Sequence, residues 1–227
     1  MNYNYRYETK FTIADLNCEE IEYIIKNHPA KFSPIFSKRK INNIYFDSPD
    51  YTSFIDNIEG NNKRKKIRIR WYGKLFGICS KPILEAKYKH GFLGWKTRYT
   101  LNNFMLNFNK NLNYKNIFKK SFKNKSNDIK QLDIDSLIPT LLNCYERIYF
   151  LSKDKKYRIT LDNNMRFYSI NPIKDQFKLF LDQNKNILEL KYNHNHRENA
   201  EKITNYFPFR VTKSSKYVIG LERIKNW

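Results

Sequence analysis

The sequence predicts a mainly β chain of the α+β class: an antiparallel sheet of seven or eight strands, closed into a barrel, with short helices packed outside. Three observations predict it. Period-2 alternation of apolar and polar residues recurs through most of the 227 residues. Segments with helical spacing are short and bounded by caps, glycine or proline. Five alternating segments carry charge at i and i+2, four of them with Arg or with paired Glu and Lys, rather than the Thr, Ser and Gln of an ordinary solvated sheet face.

The elements follow in order. RYETKF sets Arg6, Glu8 and Lys10 on one side and Tyr5, Tyr7, Thr9 and Phe11 on the other. A helix is expected from Asn17 to about Asn27, with Asn17 as cap, Glu20 three residues on, an Ile21, Ile24, Ile25 stripe, and Pro29 beyond. NNIYFDS is a strand running into the turn SPD, with Asp47 read as a turn or cap residue, and a short helix then reaches Gly60. KIRIRWYG places Lys66, Arg68, Arg70 and Tyr72 opposite Ile67, Ile69 and Trp71. PILEAKYK repeats this logic, with Glu85, Lys87 and Lys89 facing away from Leu84, Ala86 and Tyr88, and GWKTRYTL is its partner strand.

From Asn102 to about Asn143 the pattern turns helical and irregular, with NKSND an exposed loop and DIDSLIPTLLN a short helix on the barrel's flank. CYERIYFL offers Tyr145, Arg147 and Tyr149 on one face, and SKDK turns the chain. KYRITLD then sets Arg158, Thr160 and Asp162 opposite Tyr157, Ile159 and Leu161. ILELKYN shows Glu189, Lys191 and Asn193 facing away from Leu188, Leu190 and Tyr192. A helix is expected from Arg197 to about Tyr206, and TKSSKYVIGLE closes the chain. One domain over residues 1–227 is the expectation for a closed β chain of this length.

Lys plus Arg 43 against Asp plus Glu 22 gives a net charge of +21, which points to a polyanionic partner. Part of the Lys excess belongs to a chain rich in Asn, Lys, Ile and Tyr generally, so Arg at fixed spacing weighs more than total Lys. If the charged faces turn inward they line a wet cationic bore. Such a lining is costly unless an anion relieves it, and phosphate matches the planar fork of Arg and the point charge of Lys. Aromatic residues crowd the opposite face, which argues against a nucleic-acid reader with interleaved stacking platforms.

Three cysteines, Cys18, Cys79 and Cys144, form neither a disulfide framework nor a metal-ligand spacing. MNYNYRYETK has no apolar signal-peptide core, and no run approaches the ~18 apolar residues of a membrane span. The expectation is a soluble cytoplasmic protein, peripheral at the inner membrane face if its partner is a membrane protein. No G-x-x-x-x-G-K-[ST] loop is present. His28, His90, His194 and His196 share no ligand spacing.

The succession RYETK, YFDS, KIRIRWYG, LEAKYK, YERIYF, RITLD, LELKY and KSSKY, from about Tyr5 to Leu221, resembles the VTC domain, the polyphosphate polymerase branch of the triphosphate tunnel metalloenzymes. The resemblance implies an eight-stranded antiparallel tunnel, ATP and polyphosphate as substrates, a divalent metal (Mn2+ or Mg2+), and transfer of the terminal phosphoryl of ATP to a growing chain. Matched by motif, it implies Arg68, Arg70, Lys87, Arg147, Arg158 and Lys216 as the catalytic phosphate contacts. Arg6, Lys10, Lys96, Lys191, Lys213 and Ser215 would bind substrate, and Glu189, Glu8 and Glu85 would serve the metal.

Departures leave alternatives open. Hydrolytic relatives open with E-x-E-x-K, whereas Arg6 stands here in the first Glu position. Glu8 is therefore either a metal contact or the partner of Arg6 and Lys10, and Glu85 either an ion-pair scaffold or metal support. A tripolyphosphatase or nucleoside triphosphatase of the same fold, and a non-catalytic polyphosphate-binding module, stand beside the polymerase.

Overall fold

The computed structural model describes residues 6–91, 93–107, 132–170, 177–181 and 185–225. The alternating segments are strands: β1 (Arg6–Ile13), β2 (Ser33–Asp47), β3 (Lys63–Tyr72), β4 (Gly77–Cys79), β5 (Ile83–His90), β6 (Leu93–Thr100), β7 (Phe104–Leu106), β8 (Ile138–Leu151), β9 (Tyr157–Ile170), β10 (Phe177–Leu181) and β11 (Asn186–Asn193). The helices are α1 (Cys18–Lys26), α2 (Thr52–Glu59), α3 (Arg197–Asn205) and α4 (Lys216–Lys225). The main sheet has the order β1-β11-β9-β8-β2-β3-β5-β6 with β10 beside β9, and β4 and β7 form a separate ribbon. The chain is thus mainly β and antiparallel, as expected. No helix among the described residues is long and apolar enough to cross a membrane.

Contacts group the chain into two compact units, residues 1–39, 145–165 and 182–215 in the first and 40–144, 166–181 and 216–227 in the second. Strands β2, β8 and β9 contribute to both. The first unit packs Phe11 of β1, Ile21 and Ile25 of α1, Phe150, Ile159, and Leu188 and Leu190 of β11 into one core. The second packs Ile67, Ile69 and Trp71 of β3 with Leu84 and Ala86 of β5 and Phe104 and Leu106 of β7. Because side chains alternate along a strand, burial of these apolar sets commits Lys66, Arg68, Arg70, Glu85 and Lys87 to the other face.

Local chemistry fixes the helix ends. Asn17 Oδ1 accepts from the Glu19 and Glu20 amides at 2.9 and 3.0 Å, and Glu20 Oε2 accepts from the Asn17 amide at 2.7 Å, the capping box that the spacing announced. Asp47 accepts from the amides of Ser53 and Phe54 at 2.9 and 3.0 Å, so it caps α2 as read from sequence. Gly60, at φ 77°, ends α2 in the left-handed region that its missing Cβ permits. In the second unit the hydroxyl of Tyr217 on α4 donates to Asp47 at 2.5 Å, tying α4 to the same carboxylate.

Two expectations need correction. The helix expected over DIDSLIPTLLN is only a single 3-10 turn at Ile134–Ser136, and Ile138 onward is strand β8. The described part of the stretch from Asn102 is likewise not helical but holds β7. Leu141 and Leu142 are both fully buried, and a strand buried on both faces presents a continuous apolar run that periodicity cannot tell from a helix. The NKSND loop lies outside the described residues.

A Cβ on Gly220 of α4 would stand 2.5 Å from Leu141 and 2.7 Å from Phe167. Gly220→Ala is expected to lose about 1–3 kcal/mol through overpacking, despite the gain in helix propensity. The measurement is thermal unfolding by circular dichroism, with a melting temperature several degrees below that of the parent protein.

Candidate functional site

Each unit presents a cationic strand face held down by buried acid. In the second unit the pairing register puts Arg68 of β3, Glu85 of β5 and Arg98 of β6 on one rung. Arg68 donates from Nε and Nη2 to Glu85 Oε2 at 2.9 and 2.7 Å, and Arg98 Nε donates to Oε1 at 2.9 Å. Arg70 Nη1 lies 3.7 Å from the same carboxylate, and its Nε donates to Asn43 Oδ1 at 2.9 Å. Asn43 in turn donates to Asn143 Oδ1 at 2.9 Å. Tyr45 closes the group, accepting from Arg68 Nη1 at 3.3 Å and stacking on Tyr217.

Glu85 is only 4% exposed, yet three guanidinium groups face it. Burial by itself pushes its carboxyl pKa up, and the Arg68 and Arg70 charges more than reverse this, holding it well below the usual carboxylate range. Both oxygens of Glu85 accept from arginine, Oε2 from Arg68 and Oε1 from Arg98. The adjacent rung is Lys66, Lys87 and Lys96, one lysine from each strand, with Lys87 and Lys96 exposed.

In the first unit the register aligns Lys10 of β1, Glu189 of β11 and Thr160 of β9 on one rung, and Glu8, Lys191 and Arg158 on the next. Lys191 Nζ is 3.1 Å and Lys10 Nζ 3.8 Å from the Glu189 carboxylate, and Glu8 stands diagonal to Glu189 on the neighbouring strand. Burial raises the pKa of Glu189, but the charges of Lys191, Lys10 and Arg147 overcome this and hold it well below the usual range. Arg147 of β8 lies against Asp162 of β9, its Nε and Nη2 donating at 2.5 and 2.6 Å in a buried bidentate pair. Burial opposes the Arg147 charge, and Asp162 restores it.

The remaining expected residues are more dispersed. Arg158 is exposed, as is Lys213, while Ser215 is half-buried. The segment before Ser215 is fastened to β1: the Thr212 amide donates to the Lys10 carbonyl at 2.8 Å, and Lys10 Nζ donates to the Ser214 carbonyl at 3.0 Å. Lys216 is the half-buried first residue of α4 in the second unit. Arg6 pairs with Asn193 in the sheet.

Sequence reading missed Arg98, although it sits two residues after Lys96 with the same parity. It placed Asp162 on the charged face without giving it a role. The Asn43–Asn143 pair carries no sequence signal, since its members lie 100 residues apart.

Comparison with solved structures shows the same fold in distant proteins. A candidate adenylate cyclase from Vibrio parahaemolyticus is 13% identical, with a TM-score of 0.54 over 95% of this chain and 97% of that one. Another from Bacillus halodurans is 12% identical, at 0.51 over 94% and 97%. A Pyrococcus horikoshii protein is 10% identical, at 0.51 over 95% and 99%. A search of curated proteins finds no match. The likeness shows that this chain shares the fold of those proteins. The chain belongs to the VTC domain family, whose model matches residues 5–225.

The family resemblance implies a divalent metal, and the first unit's residues fit one. Glu8 and Glu189 lie diagonally on one face of neighbouring strands, within reach of long side chains. On the Glu189 rung the Thr160 hydroxyl is buried with no hydrogen-bond partner. This is a hard oxygen set, suited to Mn2+ or Mg2+. Among the described residues no three His, Cys, Asp or Glu stand together. Such ions are commonly held by one or two carboxylates plus water and substrate phosphates, so two acids suffice.

Because Glu85 is ionised in the fold below the pH at which an unfolded Glu (~4.3) takes up its proton, its contribution is present above that pH and is lost as the pH falls towards the folded value. Glu85→Gln, which also leaves Arg68, Arg70 and Arg98 unneutralised, is expected to cost about 3–5 kcal/mol and to flatten the acid limb. Urea unfolding between pH 3 and 7 measures both effects.

Proposed function

We propose that this protein is a metal-dependent polyphosphate polymerase that transfers the terminal phosphoryl of ATP to a growing polyphosphate chain. The observation that carries the reading is the ratio of charge on the second unit's strand face: one buried carboxylate, Glu85, holds Arg68, Arg70 and Arg98, and the next rung adds three lysines. Membership of the VTC domain family supports the same substrate class.

Phosphoryl transfer asks little covalent chemistry of a protein. It asks for in-line positioning and for donors aimed at the equatorial and leaving oxygens. Arg68 and Arg70, oriented by Glu85 and Asn43, serve as fixed forks for the oxygens of the reacting phosphates. Lys87, Lys96 and Lys216 add point charges. In the first unit Arg147, fixed by Asp162, and Lys10, Lys191, Arg158, Lys213 and Ser215 contact phosphate. Glu189 and Glu8 hold the divalent ion, which when bound neutralises phosphate charge. Glu85 serves as the anchor of the arginines, since its oxygens already accept from them.

Incubation with ATP and Mn2+, resolved on a gel, tests this reading. A ladder of long chains supports it; orthophosphate alone makes the protein a triphosphatase, and polyphosphate binding without turnover makes it a binding module. Arg68→Ala is expected to lower turnover at least about 100-fold while the circular dichroism spectrum is retained. Unchanged turnover in that variant would remove Arg68 from the site. Glu189→Gln is expected to raise the metal concentration for half-activity by roughly tenfold or more, read from a Mn2+ titration at fixed ATP.

A further inference from the structure

The first unit holds an arginine cluster that the phosphate contacts above do not use. The opening half of β2, Ser33 to Lys40, is exposed at every residue but Ile35, and Phe36 within it is 47% exposed. Arg39 Cζ lies 4.6 Å from the centroid of the Phe36 ring and 5.5 Å from that of Tyr149 on the neighbouring strand β8. The two rings meet edge to face, 5.5 Å between centroids. Tyr149 is also 5.9 Å from Arg147 Cζ. A single ring thus separates an exposed guanidinium, that of Arg39, from the buried one that Asp162 fixes.

The two arginines suit different ligands. Arg147 has its plane set by a carboxylate, the geometry of a fork for phosphate oxygens. Arg39 is backed by aromatic rings, whose faces carry the negative part of the ring quadrupole. Such faces attract a guanidinium and repel an anion, so Phe36 and Tyr149 add nothing to phosphate binding. A flat heterocycle gains from the same surroundings, because bases stack on aromatic side chains and on guanidinium planes. One ring away from a phosphate contact, this platform lies within the reach of a nucleotide whose phosphates meet Arg147.

We propose that Arg39, Phe36 and Tyr149 form a stacking platform for the base of a nucleoside triphosphate, so that the first unit distinguishes a nucleotide from bare tripolyphosphate. The choice of a nucleotide rests on the reading that ATP is the phosphoryl donor; the discrimination between the two ligands does not need turnover. The test is equilibrium binding of ATP and of tripolyphosphate to the full chain, at fixed salt with a chelator present so that neither turns over. Parent protein, Arg39→Lys and Phe36→Ala/Arg39→Lys are compared. Lysine keeps the charge of Arg39 and removes its plane. Neither substituted residue is among the groups assigned to the reaction, and both are exposed, so an unchanged circular dichroism spectrum is expected.

The double variant is expected to bind ATP about fivefold or more weakly and to keep its tripolyphosphate affinity within about twofold. Arg39→Lys alone is expected to show a smaller loss in the same direction. Equal weakening of both ligands would place the cluster at the phosphates, and unchanged ATP binding would make it a cation–π contact of the surface only; each result overturns the platform. A parent that binds tripolyphosphate but not ATP overturns it as well. If ATP affinity alone falls while the parent makes no polymer, the polymerase reading fails and the platform stands. Polymer formation with unchanged ATP binding in the variants does the reverse.

Discussion

A strand face made of arginine and lysine holds together here because buried carboxylates stand inside it. Glu85 faces three guanidinium groups, Asp162 pairs with Arg147, and Glu189 lies between Lys10 and Lys191. Each acid lowers the repulsion that its neighbours would otherwise feel across 4.5–5.5 Å of sheet, and Glu85 and Glu189 are kept ionised by those neighbours against the pull of burial. The pairs also fix geometry. A guanidinium bound through Nε and one Nη has its plane set, so its remaining donors point in a chosen direction before any substrate arrives.

The apolar side of the same strands supplies the force that makes this possible. Ile67, Ile69, Trp71, Leu84 and Ala86 are all within 3% of full burial. That commitment leaves the alternate positions no choice of side, because a one-residue slip would expose the whole apolar set. In the first unit Leu188 and Leu190 do the same for Glu189 and Lys191. Packing therefore positions the charged groups, and the charged groups need only satisfy one another.

Two economies of construction follow from shared residues. Asp47 caps α2 and also receives the Tyr217 hydroxyl, so a single buried carboxylate anchors both α2 and the start of α4, where Lys216 lies. Arg70 joins Glu85 to the Asn43–Asn143 pair, linking the ion cluster to a wholly buried amide pair. In both cases a polar group with several acceptor positions satisfies donors from separate elements, which is how a buried carboxylate or amide is tolerated at all.

Alternation along the chain was by itself enough to determine that the protein is mainly β, which residues share a face, and where α1 and α2 begin, since those depend on neighbours two to four residues apart. It therefore placed Lys66, Arg68 and Arg70 together, and Glu189 with Lys191, without coordinates. The tertiary structure decided everything that depends on register between strands: that Glu85 meets Arg68 and Arg98, that Lys10 meets Glu189, that Lys66, Lys87 and Lys96 form one rung, and that Asn43 reaches Asn143. It also decided that Leu141 and Leu142 belong to a strand, because burial on both faces erases the period that would have said so. The reason is common to all of these: a strand's own sequence states which side a residue takes, but the residue opposite it is chosen by the packing of segments far away in the chain.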